Sequence, residues 1–326
     1  MSKPICLPAG ATTVLASVAF VLAWSSGFLG ARLGTGQAAV PTLLLWRYVV
    51  VTAVLGAGLG VARLLRRGRR ARAPAAAARL APRPRGSRAA ARHVAVGLLS
   101  QVGYVLPVYG AIGLGVSAGT TSLVDAVQPV VVATLVGPLL GQRVRGLQWA
   151  GLATAFAGVA AIVAGDLRSA TAPAWAYALP AAAVASLVAA TFLERRRPST
   201  LPPGRLLTLH SAVAAVALAV LALATGTVTP PPDAAFWGST LFLALVPSLA
   251  AYGLYWGLLR RVDVTTLNAL LFLVVPTTTL AGAALFDEPL SLAGGVGLGL
   301  AGLGVAAVLR GESRRRRGDD DGPRRP

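Results

Sequence analysis

Apolar residues along this chain gather into long runs, separated by short polar or basic stretches. Read between those breaks, the runs predict ten helices, at 11–31, 40–63, 93–114, 117–139, 147–165, 174–193, 206–225, 236–258, 264–285 and 290–309. A helix crossing a ~30 Å hydrocarbon core needs about 20 residues, and each run is near that length. Most connections are only a few residues long, so successive helices are expected to be antiparallel neighbours. The exception is the Arg-, Ala- and Pro-rich stretch 64–92, which reads as a mobile basic loop. The first run follows a start whose only charge is Lys3 and lacks a small-residue cleavage site, so it reads as a retained helix rather than a signal peptide. The pattern as a whole predicts an all-α integral membrane protein.

Composition agrees with the pattern. Of 326 residues, 55% are hydrophobic and 13% charged, against about 25% charged in soluble globular chains. A net charge of +19 could suggest nucleic acid, but that needs basic residues clustered on one folded face. Here they lie in the gaps between apolar runs and at the C-terminus, so nucleic acid is not an expected partner.

Their placement instead fixes a direction, because cytoplasmic loops carry the excess of Arg and Lys. With the N-terminus inside, 27 of the 30 basic residues fall in inner segments and only Arg32 and Arg168 in outer loops, Arg47 lying inside a helix. This split supports an even helix count and places both termini in the cytoplasm. The basic loop and the tail 311–326 then read as disordered topology signals that also touch anionic lipid.

Cys6 is the sole cysteine, which excludes an intrachain disulfide and a cysteine metal cluster, and His93 and His210 are too few for a histidine-rich one. No metal or cofactor is expected. No phosphate-cradling loop or nucleophile elbow appears, so neither an enzyme nor an ATP-driven machine is expected.

The two halves come into register at an offset of 146 residues: Tyr109 falls on Tyr255, Val116 on Val262, Thr120 on Thr266 and Gln142 on Glu288. Gly151, Ala155 and Gly158 likewise overlay Gly297, Ala301 and Gly304. Small residues spaced four and three apart share one helix face and let two backbones approach, so these glycines are assigned to packing. With five helices per half, the second copy must be inverted in the membrane. The expected organisation is a first repeat at 1–165, a second at 166–310 and the tail. Inverted repeats place a site at their interface near the midplane, the architecture of alternating-access carriers.

The WSSGF run at 24–28, the Pro41-to-Arg47 segment, QPVVVATLVGPLLGQ at 128–142, LYWGLLRRVDVTTLNALLFLVVP at 254–276 and FDEPLS at 286–291 carry a resemblance to the drug/metabolite transporter superfamily. Their order and duplication resemble its EamA-type members with two five-helix repeats, over nearly all of residues 11–310. The resemblance implies a bacterial inner-membrane carrier, often a proton-coupled exporter of amino acids or other small metabolites. The chain departs from the family pattern at Gln142, where Glu is usual, while Glu288 keeps the acid.

Several residues could carry the chemistry. Asp125 lies well inside the fourth run, where a charge costs at least about 2.5–3.5 kcal/mol. Ser117, Thr121, Asp125 and Gln128 form one stripe that should face a cavity or a partner helix. Asp125 is thus a candidate proton site, or else a static partner of Arg47. Arg47 is a candidate counter-ion for a carboxylate, either a substrate's or that of Asp125, with snorkelling toward the outer headgroups as the alternative. Gln101 with Tyr104, Ser248 with Tyr252 and Tyr255, and Trp24 with Ser25 and Ser26 could line a cavity or satisfy one another between helices. Asn268 could contact substrate or bond a neighbouring helix. His210 is expected near the membrane interface. Asp287 and Glu288 before Pro289 read as a helix-capping sequence.

The expectation is a secondary transporter exporting a small polar or amphipathic metabolite against proton entry, possible as a homodimer. The alternative is a non-transporting accessory or lipid-interacting scaffold on the same fold.

Overall fold

The computed structural model describes residues 9–70, 86–128, 130–132, 135, 146–169, 172–197, 199–258, 261–262, 264–288, 292, 294–304 and 306–307. Among these every regular element is helical. They are α1 (Ala9–Thr35), α2 (Val40–Arg70), α3 (Gly86–Gly97), α4 (Gly103–Gly113), α5 (Ala118–Ala126), α6 (Gly146–Ser169), α7 (Ala178–Arg196), α8 (Pro203–Ala224), α9 (Ala234–Leu243), α10 (Ala251–Leu258), α11 (Val264–Phe286) and α12 (Gly294–Gly304). Among the described residues, six segments are long and apolar enough to cross a membrane: Ala11–Thr35, Val40–Leu65, Arg88–Gly113, Ala174–Glu194, Pro203–Ala224 and Ala234–Leu258.

These helices are apolar on both faces, as lipid-embedded helices must be. On α8, Ala214, Leu218 and Ala222 are fully buried, whereas Val216, Val220 and Leu223 on the opposite side are largely exposed. The inner faces meet in one core drawn from α1 (Phe20, Phe28), α2 (Leu43, Leu44), α4 (Val108, Ile112), α8 (Leu218), α9 (Phe236, Leu243) and α11 (Val274).

The structure corrects the expected loop at 64–92. Helix α2 runs on through Arg70 and α3 begins at Gly86. Leu, Arg and Ala are strong helix formers, so the coil of the backbone continues where the apolar run stops. Residues 71–85, Gln142, Pro289, the side chain of Asn268 and the tail 311–326 lie outside the described residues.

Two membrane spans are interrupted by π turns. Leu98–Val102 joins α3 to α4, and Ala244–Ala250 joins α9 to α10. The two begin 146 residues apart, the same offset that registers the halves. The π-helix is rare, and such turns are frequent at functional sites.

The repeated small-residue faces pack on each other. A Cβ on Gly158 would sit 2.6 Å from Ala301 N and Gly297 O, and one on Gly304 would sit 2.5 Å from Ala155 N and Gly151 O. Because the higher-numbered residue of one helix meets the lower-numbered residue of the other, α6 and α12 run antiparallel. Gly119 of α5 approaches Thr279 of α11, and Leu123 packs with Val275, so that repeat-related pair is antiparallel too.

Glu288 caps a helix across the fold. Its Oε1 accepts the Ala118 backbone N–H at 3.1 Å, while the Ser117 hydroxyl accepts that of Thr120 at 3.0 Å. The first N–H groups of a helix have no partner within it and favour an anion. A second-half acid therefore satisfies the start of a first-half helix.

Candidate functional site

A cavity lies at the centre of the bundle, partly open to the surroundings, with about 640 Å³ of empty space counting the solvent at its mouth. Its wall takes Trp24, Gly27 and Phe28 from α1, Arg47, Tyr48 and Val51 from α2, Gln101 from the first π turn, and Tyr104, Val105, Val108 and Tyr109 from α4. Leu207 and Ser211 of α8, Pro247 and Ser248 of the second π turn and Tyr252 of α10 complete it. The wall reaches from Tyr109 to Leu207, about one turn into α8.

Arg47 is the cation of this wall and is only 8% exposed. Its Nε donates to Ser248 Oγ at 2.9 Å and its Nη1 to Tyr109 Oη at 2.6 Å. The guanidinium carbon lies 5.5 Å from the Tyr48 ring centroid and 5.3 Å from that of Tyr109, within cation–π range. Among the described residues the one ion pair is Arg92–Glu194, at 3.4 Å, so no carboxylate neutralises Arg47. This excludes the static Arg47–Asp125 pair between them, and it excludes snorkelling, because the head group turns inward.

The second π turn places Ser248. Pro247 has no N–H to offer the Leu243 carbonyl four residues back. The Ser248 hydroxyl donates to that carbonyl at 2.8 Å, leaving its oxygen to accept from Arg47. The first π turn places Gln101, whose Oε1 accepts the Tyr48 hydroxyl at 3.0 Å. Both π turns thus support residues that touch α2 at positions 47 and 48.

Trp24 and Tyr252 form an aromatic side of the cavity, with ring centroids 5.6 Å apart, and Phe20 backs Trp24 at 5.5 Å. Tyr255, expected beside Tyr252, instead packs behind Trp24 and Phe20. Ser25 and Ser26 are also absent from the wall. Ser25 donates to the Val274 carbonyl of α11 at 3.4 Å, and Ser26 to Ala23 of its own helix at 2.7 Å.

Asp125 sits one layer behind the cavity. Tyr104 lines the wall and donates its hydroxyl to Asp125 Oδ2 at 3.0 Å, while Oδ1 is buried with no hydrogen-bond partner among the described residues. The stripe expected around Asp125 is split. Thr121 is fully buried and donates to the Ser117 carbonyl at 2.9 Å, so it turns back on its own helix. Gln128 does not line the cavity.

His210, in the second turn of α8, is 7% exposed, with its ring 6.2 Å from that of His93. Gly97 allows this contact between α3 and α8, since a Cβ there would lie 3.3 Å from the His210 Cα. Tyr48 and Tyr109 were not singled out as cavity residues in the sequence. Tyr109 gave a signal by recurring as Tyr255, and Tyr48 by adjoining the buried arginine.

The chain matches the EamA-like transporter family at residues 11–164 and again at 174–310. It is 30% identical over 299 residues to a protein of Streptantibioticus cattleyicolor described as a probable terminal-alkyne amino-acid exporter, covering 89% of this chain and 91% of that one. A protein of known crystal structure, 21% identical, superposes with a TM-score of 0.57 over 94% of this chain and 99% of its own and shares the fold. Two successive matches, the duplicated π turns and the central cavity agree: the chain is a multi-pass membrane protein of the EamA-like transporter family.

Proposed function

We propose that this protein exports small metabolites of the amino-acid type from the cytoplasm by alternating access, driven by proton entry. The observation that carries the proposal is the central cavity, which holds a buried arginine with no carboxylate partner among the described residues, beside an aromatic wall. Such a site suits a small solute with one polar and one apolar end, and the Streptantibioticus relative is described as an exporter of an amino acid. The family supports a small-molecule substrate and a lipid environment.

In this reading the chain crosses the inner membrane ten times, with both termini cytoplasmic, as two inverted five-helix halves. The antiparallel packing of α6 on α12, which are related by the repeat, supports the inversion. Rocking of one half against the other would expose the cavity to each side in turn. Asp125 is the proton carrier: its carboxyl is buried, one oxygen has no partner among the described residues, and Tyr104 links it to the cavity wall. The protein acts as a carrier rather than an enzyme.

The test is flux in proteoliposomes, using a panel of amino acids with and without an imposed pH gradient. Gradient-stimulated movement is expected, and Asp125→Asn should insert and fold normally while losing the stimulation. Full coupling in that variant would remove Asp125 from the mechanism, and absence of flux for every amino acid would overturn the substrate assignment.

A further inference from the structure

Resting on that functional reading but sharper than it, we infer that Arg47 is a carboxylate subsite and that the cavity reads its ligand as a monocarboxylate without using the ligand's amine. The first half of the inference follows from charge. A guanidinium is protonated at every working pH and carries five N–H donors in a planar fork. Two donors are taken, by Ser248 and Tyr109, both neutral hydroxyls. Nη2 has no hydrogen bond among the described residues, yet it is not one of their buried, unpartnered polar atoms, so it retains access to space in the cavity that Arg47 lines. A buried charge without a counter-charge is costly, and a carboxylate entering the cavity would supply one. Ser248 and Tyr109 hold Nε and Nη1, which fixes the plane of the fork and leaves Nη2 for a ligand.

The second half follows from what else lines the wall. No Asp or Glu is among the described lining residues. Asp125, the nearest candidate to pair with an ammonium group, lies behind Tyr104 and already accepts its hydroxyl. The remainder of the ligand meets Trp24, Phe28, Tyr48, Val51 and Tyr252, surfaces that take an apolar chain or an aromatic ring. Aromatic faces also tolerate an ammonium group, so amino acids fit, but among the described residues the wall supplies no group that requires one.

The prediction separates the two ends of a ligand. Equilibrium binding to the full chain in detergent would be measured for L-leucine, its methyl ester and 4-methylpentanoate, which keeps the carboxylate and lacks the amine. The acid pair should bind within a few-fold of each other. The ester should bind about ten- to a hundredfold more weakly, the range set by loss of a charge-assisted hydrogen bond. Arg47→Gln should weaken the two acids by a similar factor and leave the ester unchanged. The ligand series on the native chain needs no variant, so a misfolded Arg47→Gln does not block it. Ester binding equal to the acids, or loss of binding on deleting the amine, would overturn the subsite. If both acids bind as stated and neither moves in proteoliposomes, the transport reading fails and the subsite stands. If amino acids move while the ester competes as well as the acids, the reverse holds.

Discussion

At the scale of single residues, Tyr104 links the cavity to the acid behind it. It lines the wall and donates to Asp125, so the pair can be tested as a unit. Removing one partner of a buried hydrogen bond leaves the other stranded, at about 1–3 kcal/mol, whereas removing both can be nearly neutral. Tyr104→Phe is therefore expected to lower the stability of the detergent-solubilised protein by that amount. Tyr104→Phe combined with Asp125→Leu should recover much of the loss. Thermal melts of the two single variants and the double variant check this, and strictly additive losses would mean that the hydrogen bond carries no energy. Glu288 offers a second test at this scale. Its carboxylate meets the Ala118 N–H at the start of α5, and an anion in such a position is worth about 0.3–1 kcal/mol, rising to about 2 when partly buried. Glu288→Ala should be destabilising within that range, with Glu288→Gln intermediate because it keeps an acceptor but not the charge. Equal melting of all three proteins would show that the cap is idle.

At the scale of elements, α6 and α12 approach each other backbone to backbone. Because a Cβ on Gly158 or Gly304 would run into backbone atoms of the facing helix rather than a movable side chain, relief requires the helices to separate. Gly158→Leu should lower stability by at least about 1–3 kcal/mol, the usual effect of overpacking. Gly299→Leu, on α12 where a Cβ would meet nothing within 4 Å, should be silent in the same melting assay. If the two variants behave alike, the helices do not meet through the repeated glycines. The glycine face could be read in advance because spacing of four and three is a property of any helix. The cavity was legible only in part, and the reasons are local. Gln101, Tyr104, Ser248 and Tyr252 were found by helical spacing, and all four line the cavity. Tyr255 and Thr121 satisfied the same spacing and do not, since periodicity marks a face but not which neighbour covers it. The π turns carried no apolar signature at all. Pro247 is the visible trace of the second, and Leu98–Val102 contains neither proline nor glycine to mark the first. The partner of Glu288 was illegible for another reason, because its contact with Ala118 spans 170 residues and no local pattern encodes it.

At the scale of the whole molecule, the proposed orientation rests on the asymmetry of Arg and Lys, and the folded chain gives it a direct test. The turn after α8 and the turn after α7 lie at opposite ends of the bundle, joined by the length of α8 itself. Thr229 in the first turn and Thr200 in the second are both exposed, so cysteines there can react without disturbing the packing. Cys6 is the sole native cysteine, and Cys6→Ser gives a silent background. A membrane-impermeant maleimide applied to intact cells lacking an outer permeability barrier should label Thr229→Cys at once. Thr200→Cys should react only after the membrane is opened, and native Cys6 should follow Thr200→Cys if the N-terminus is cytoplasmic. Labelling of Thr200→Cys from outside with protection of Thr229→Cys would invert the molecule. It would also turn the end of the cavity wall at Leu207, near the start of α8, toward the exterior. Leucine binding could survive that result, but the stated direction of transport could not.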